Sequence, residues 1–252
     1  MRWHALGMET MMVGPMLKEW RGLRGMSQLD LALSADVSSR HVSFLESGRA
    51  RPSAEMVMRL AEALAMPLRE RNGLLVAAGF APLFGDSDWD SPQMAEIRRA
   101  ARMILAGHEP NPALVLDAAF NVLEANVGAT TLLGDGAGKP GQLNLVDLVF
   151  MPGAVRDAIG NWEEIAGYLM HRMREGVRMR GPHSPIGVVM RRALMQPGVD
   201  DLATRAKAGT VLLPLVFNIE GTETRWFTTV TSFGAPQDVL AEEITIEQFY
   251  PA

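Results

Sequence analysis

The sequence predicts a two-domain protein: an all-α head of five short helices, then an α+β domain built on an antiparallel sheet with helices packed on one face. Three observations carry this. Serine caps and glycine stops punctuate residues 16–78. Gly, Pro, Ser and Asp then crowd the stretch GFAPLFGDSDWDSP, Gly79 to Pro92, where helical periodicity stops. Beyond it, strand-like segments lie at both ends of residues 93–252 with helical ones between them. The resulting boundaries are an N-terminal extension over 1–15, a helical domain over 16–82, a linker over 83–92 and a second domain over 93–252. A chain of 252 residues, 48% hydrophobic and 21% charged, is too apolar for a disordered protein and long enough for two cores.

In the head, Leu17, Trp20 and Leu23 repeat at helical spacing, and Gly25 ends that run. Ser27 stands as an N-cap before a helix over Gln28 to Ser34, with Asp30 in the first turn, where an acid suits the helix dipole. Ala35, Asp36 and Val37 make a tight break in which Asp36 can take a left-handed conformation, although Gly would do so at lower cost. Ser38 caps a third helix with Val42 and Leu45 facing inward and Gly48 ending it. Ser53 opens a fourth through Val57, Leu60, Ala61 and Leu64, and Pro67 starts a fifth running to about Ala78.

The pair spanning Gln28 to Ser47 is where chemistry enters. Two short helices joined by a three-residue turn, the second presenting small polar and basic side chains at its start, fit the major groove of DNA. Charge agrees once it is divided. The whole chain carries a formal charge of -5, yet residues 1–82 hold 10 Lys and Arg against 8 Asp and Glu, and residues 83–252 hold 14 against 21. A mildly basic head is joined to an acidic remainder, and only the local footprint bears on nucleic acid.

The residues SQLDLALSADVSSRHVSFLESGRARPS, followed by LAEALAMPLRERNGLL, closely resemble the Cro/cI-type, lambda-repressor-like helix-turn-helix family, with Asp36 where that family usually has Gly. The resemblance implies roles for individual residues. Gln28 would hydrogen-bond a phosphate and buttress the recognition helix. Ser39, Arg40 and Ser43 would face base edges, Arg40 being suited to a bidentate guanine contact worth about 1–3 kcal/mol of discrimination. Ser38 and His41 would touch the DNA backbone, and Arg49 and Arg51 would grip phosphates, making binding salt-dependent. The competing reading of the three arginines is a solvated surface. Phe44 and Leu45 are assigned to the core on either reading.

In the second domain, Met94 to Gly107 has helical spacing through Ile97, Met103 and Ile104. Ala113 to Asp117 and Asn121 to Ala125 read as two short strands with a turn at Ala118, Ala119 and Phe120. Asn126 starts a brief helix into Leu133, and Gly134 to Gly141 forms a Gly-rich loop. A long helix covers Asn161 to Met179 and another Met190 to Met195. Strands return over Thr210 to Asn218, Thr224 to Thr231 and Glu243 to Phe249.

This order and the phrase ALVLDAAFNVLEANVGATTLL are similar to the opening of PAS-type sensor domains. Taken with the head, and with HEPNPALVLD, LLPLVF and FGAPQDVLAEEITIEQFYPA, the chain resembles the MmyB-like family of bacterial transcription regulators. That family joins a Cro/cI-type head to a PAS-like ligand-binding domain, which implies a small apolar, fatty-acid-like ligand. On the long helix, Trp162, Ile165, Leu169, Met173 and Val177 form an apolar stripe, and Arg172, Arg174, Arg178 and Arg180 crowd its second half. The stripe is either plain core or the wall of a pocket (Trp162, Leu169, Met173, Val177) with Arg172 at its mouth for a ligand carboxylate. Of the 17 methionines, Met170, Met173, Met179, Met190 and Met195 concentrate on these helices, where flexible thioethers suit either role.

Other function classes find little support. With no cysteine, disulfides, thiolate metal sites and cysteine nucleophiles are excluded. His4, His41, His108, His171 and His183 fall at no ligand spacing, so no metal is expected. GAGKPG, Gly136 to Gly141, matches G-x-G-x-x-G only formally, because Pro140 sits inside it and polar turn residues continue into Gln142 and Asn144. No G-x-S-x-G element exists, and no catalytic set or cofactor is expected. The expectation is a cytoplasmic bacterial regulator, not an enzyme and not a membrane protein, binding a palindromic operator as a homodimer. The alternative is a helix-turn-helix repressor whose second domain is a dimerisation or protein-interaction module without a ligand.

Overall fold

A computed structural model describes residues 13–133, 141–200, 202, 212–219 and 221–252. The chain divides into two compact units between Asp86 and Ser87, the short stretch Met179–Gly181 being grouped with the first. Most of the extension expected over 1–15 and most of the Gly134 to Gly141 loop lie outside the described residues.

The first unit has the five expected helices: α1 (Val13–Leu23), α2 (Gln28–Ser34), α3 (Ser39–Glu46), α4 (Ala54–Ala63) and α5 (Leu68–Ala77). The serine caps form as the sequence requires. Ser27 Oγ accepts from Asp30 N at 3.1 Å while Asp30 Oδ2 accepts from Ser27 N at 2.8 Å, a reciprocal capping box. Ser38 and Ser53 accept from the backbone of His41 and Met56, each at 3.2 Å. Asp36 takes the left-handed turn at φ 52°, between Gly25 and Gly48 that end α1 and α3 at φ 65° and 72°. Leu17, Trp20, Leu31, Val42, Leu45, Val57, Leu60, Leu64 and Leu74 close into one core.

Residues 83–86 of the expected linker are tied to this unit. Asn72 Oδ1 accepts from Leu83 N and Phe84 N, both at 3.0 Å, and its Nδ2 donates to the Phe84 carbonyl at 2.9 Å. Trp89 and Ser91 belong to the next unit, their carbonyls accepting from Arg98.

The second unit opens with a 3-10 turn at Pro92–Met94 and α6 (Ala95–Gly107), then β1 (Ala113–Leu116), β2 (Val122–Ala125) and α7 (Val127–Leu133). There follow α8 (Leu145–Phe150), α9 (Ala154–Ala158), α10 (Trp162–Arg180), α11 (Pro185–Leu194), β3 (Leu215–Ile219), β4 (Thr222–Ser232), α12 (Val239–Glu243) and β5 (Thr245–Pro251). The strands form one antiparallel sheet in the order β2-β1-β5-β4-β3, so the last strand returns to pair with the first.

That pairing explains a departure from expectation. Helices cover both faces of the sheet, not one. All four residues of β1, ALVL, are buried. Leu114 and Leu116 join the large core with α7 to α11, whereas Ala113 and Val115 pack with Leu105, Ile244 and Ile246 against α6 and α12. On α6, Met103 is 71% exposed, and the inward face is Ala101, Ile104 and Leu105. Asn126 locks the region together. Its Oδ1 accepts from Ala113 N and Ala129 N at 2.9 Å, and its Nδ2 donates to the Asn111 carbonyl at 2.8 Å, so this buried amide leaves nothing unpaired.

Candidate functional site

Two candidate sites follow, one in each unit. In the first, α3 is short and presents its polar face outward because Val42 and Leu45 are fully buried beneath it. Ser38, Ser39, Arg40, Arg49 and Arg51 are exposed, and His41 and Ser43 are half-buried. These seven are therefore accessible to a partner, on α3 or close to its ends. Phe44 departs from expectation: it is half-buried and stands outside the core, while Leu45 is inside it. Its ring carries two guanidinium groups, Arg40 at 5.2 Å and Arg49 at 6.0 Å from the centroid. Stacking on an aromatic face restricts both long side chains before any partner arrives.

Gln28 reaches α3 through Glu46, a residue outside the expected DNA-contact set. Its Nε2 donates to Glu46 Oε2 at 2.8 Å. The same carboxylate receives Arg21 Nε at 2.7 Å and Nη2 at 3.1 Å, a bidentate pair from α1, while Arg21 Nη1 donates to the Met26 carbonyl at 2.7 Å. Burial alone would raise the Glu46 carboxyl. Hydrogen bonds from Arg21 and Gln28, with the charges of Arg21 and Lys18, outweigh it and hold the group below the usual carboxylate range. The recognition helix is thus clamped from α1 and α2 at one acid. Its signal in the sequence is the Ser43-x-x-Glu46-x-Gly48 spacing, which identifies Glu46 but not its partner on α1.

The second unit holds a cavity of about 70 Å³ between α10, the helices before it and the sheet. Its wall is aliphatic and aromatic, with Leu114, Leu133, Val149, Ile165, Leu213 and Phe249 among the lining residues. Of the residues expected there, Leu169 and Arg172 line it, joined by Ile165 and Tyr168 on the same helix. Trp162, Met173 and Val177 do not. Met173 is fully buried in the core, Val177 packs against that core, and Trp162 donates its indole N–H to the Val149 carbonyl at 2.7 Å under Arg156, 3.9 Å from the ring centroid. The cavity strip on α10 is therefore 165, 168, 169, 172, turned by part of a turn from the stripe of the sequence. Among the described residues no methionine lines it, and Met179 and Met195 are exposed.

Arg172 is already paired with an acid of the sheet. Its Nη1 is bonded to Glu247 Oε1 of β5, and its guanidinium lies 5.0 Å from the Phe120 ring centroid and 5.8 Å from that of Tyr168. Glu247 itself is 3% exposed and lines the cavity beside Thr228. Among the described residues no three His, Asp or Glu side chains gather as a metal site would need, and no helix is long and apolar enough to cross a membrane.

A family model described as MmyB-like transcription regulator ligand binding domain matches residues 97–252. A helix-turn-helix model matches residues 17–71. No curated protein matches the chain.

Proposed function

The chain belongs to the MmyB-like family of transcription regulators, a DNA-binding helix-turn-helix head with a ligand-binding domain, and from that footing we propose that it is a cytoplasmic regulator binding a palindromic operator as a homodimer and answering to a small aliphatic, fatty-acid-like molecule. The observation that carries the DNA reading is the exposed edge of α3. Arg40 reads a base pair, Ser39 and Ser43 lie beside it, and Ser38, His41, Arg49 and Arg51 hold the DNA backbone with Gln28. One such head covers a single half-site, so two-fold pairing is the economical route to affinity.

The ligand reading rests on the aliphatic cavity in the second unit. Its volume of about 70 Å³ is below the roughly 150 Å³ of an apolar cavity that admits benzene. A chain of several carbons must therefore part the walls, and Leu132, Leu133 and Leu213, only partly buried, are the side chains that yield. The small volume is also what favours the second reading, a solid dimerisation module with no ligand.

The DNA assignment is tested by selecting a cognate duplex with the full chain and measuring two variants on it. Arg40→Ala should relax preference at one base pair by about 1–3 kcal/mol. Arg49→Ala should weaken all duplexes alike and flatten the salt slope by about one unit. Unchanged binding by both variants would overturn the assignment.

A further inference from the structure

We propose that the cavity selects an aliphatic ligand with an uncharged head that both donates and accepts a hydrogen bond, such as an alcohol or primary amide, and discriminates against an ionised carboxylate. This deepens the ligand reading above and rests on it. The observation is the Arg172–Glu247 pair, set into the wall of an otherwise apolar cavity.

Glu247 projects from the middle of the sheet. Its cross-strand neighbours are Leu114 on β1 and Val230 on β4, so no other polar group stands directly opposite it in the register. Buried ion pairs are poor stabilisers, since removing two charges from water offsets most of their attraction, and well-packed apolar residues do as well or better there. Stability therefore gives little reason for this pair, whereas its position on the cavity wall gives a chemical one.

The two partners present opposite hydrogen-bonding faces to whatever enters. Arg172 has five N–H donors and no acceptor, and only Nη1 is taken by Glu247. Glu247 Oε2 is an acceptor, and the Thr228 hydroxyl stands on the same wall. An alcohol or primary amide answers both faces, accepting from the guanidinium and donating to the carboxylate. An ionised fatty acid offers acceptors only. It would also bring a second negative charge to a guanidinium already neutralised, in a site shielded from water, where like charges repel strongly. The aliphatic tail lies along Leu169, Leu114 and Phe249 in either case, so the head alone decides.

The test uses the full chain with 1-octanol and octanoate at neutral pH, probes that differ only at the head, with affinities from calorimetric titration. The wild type should bind octanol at least ten-fold more tightly than octanoate. Glu247→Gln, which keeps shape and leaves the Arg172 charge uncompensated, should gain octanoate affinity at least ten-fold and bind octanol more weakly than the wild type, reversing the order. Equal or tighter binding of octanoate by the wild type overturns this inference and leaves the ligand reading standing. Binding of neither probe by either protein overturns both. The wild-type comparison decides the matter even where the variant fails to fold.

Discussion

Arg21→Met is the substitution that most sharply tests how the recognition helix is held. Arg21 and Glu46 are 16% and 5% exposed, joined by two bonds of 2.7 and 3.1 Å, and the carboxylate keeps only the Gln28 hydrogen bond once the guanidinium is gone. Removing one partner of a buried pair costs about 3–5 kcal/mol, because the remaining charge is held away from water with its main counter-ion gone, here with the Gln28 amide and the Lys18 charge left to answer it. The partial exposure of Arg21 places the cost near the low end, at about 3 kcal/mol, and loss of its bond to the Met26 carbonyl adds about 1 kcal/mol. In a domain of this size each kcal/mol moves the transition by about 4–8 °C, so the head should melt more than about 10 °C lower. Scanning calorimetry of the full chain, with hydrogen exchange at the α3 amides to assign the transition, reads this directly. The double variant Arg21→Met, Glu46→Met removes both charges and should recover to within about 1 kcal/mol of wild type. A single variant costing less than about 1 kcal/mol, or a double variant as unstable as the single, would refute the clamp.

Two further outcomes follow from the same clamp. Because Glu46 titrates below its ordinary range in the folded head, its contribution is complete above the unfolded-state value and drains away as pH falls through the folded one. Asp30, lowered by its bonds from the Ser27 hydroxyl and backbone, acts in the same direction. Urea midpoints of the head should therefore fall on the acid side of about pH 4, and Glu46→Gln should flatten that slope. Gly14→Ala would ordinarily gain up to about 1 kcal/mol of helix propensity. Here the added Cβ meets the Glu46 carbonyl oxygen at 2.5 Å and that of Leu45 at 2.7 Å, so α1 and the end of α3 must separate. The variant should lose about 1–3 kcal/mol by denaturant titration and bind its duplex more weakly.

The head was almost fully readable because its instructions are short-range. Ser27, Ser38 and Ser53 act within three residues, and Asp36, Gly25 and Gly48 set their own backbone angles. What was missed there is long-range: Arg21 reaches Glu46 across 25 residues, and Phe44 stays out of the core although its neighbour Leu45 fills it. In the second unit, β1, β2 and α10 fell within a residue or so of their expected limits, since hairpin turns and long amphipathic helices declare themselves locally. The helices α8, α9 and α12 were not foreseen. At five or six residues they are too short to show a period, although α8 and α12 carry cap signals in Asn144 and Asp238, each side chain accepting from two backbone N–H groups. Helix α11 starts at Pro185, five residues earlier than expected, behind the cap position of Ser184. The cavity was half legible. Spacing on α10 gives Leu169 and Arg172 but cannot fix the rotation of the helix, and nothing in TIEQF marks Glu247 as the acid that meets Arg172 from another strand.

The central claim is that one chain couples ligand to DNA, and coupling is a measurable ratio. The affinity of the full chain for its selected duplex, measured at fixed salt with and without saturating 1-octanol, should differ by at least about five-fold, the low end of ordinary allosteric coupling. An identical dissociation constant in both conditions, with the ligand shown to be bound, would contradict the account.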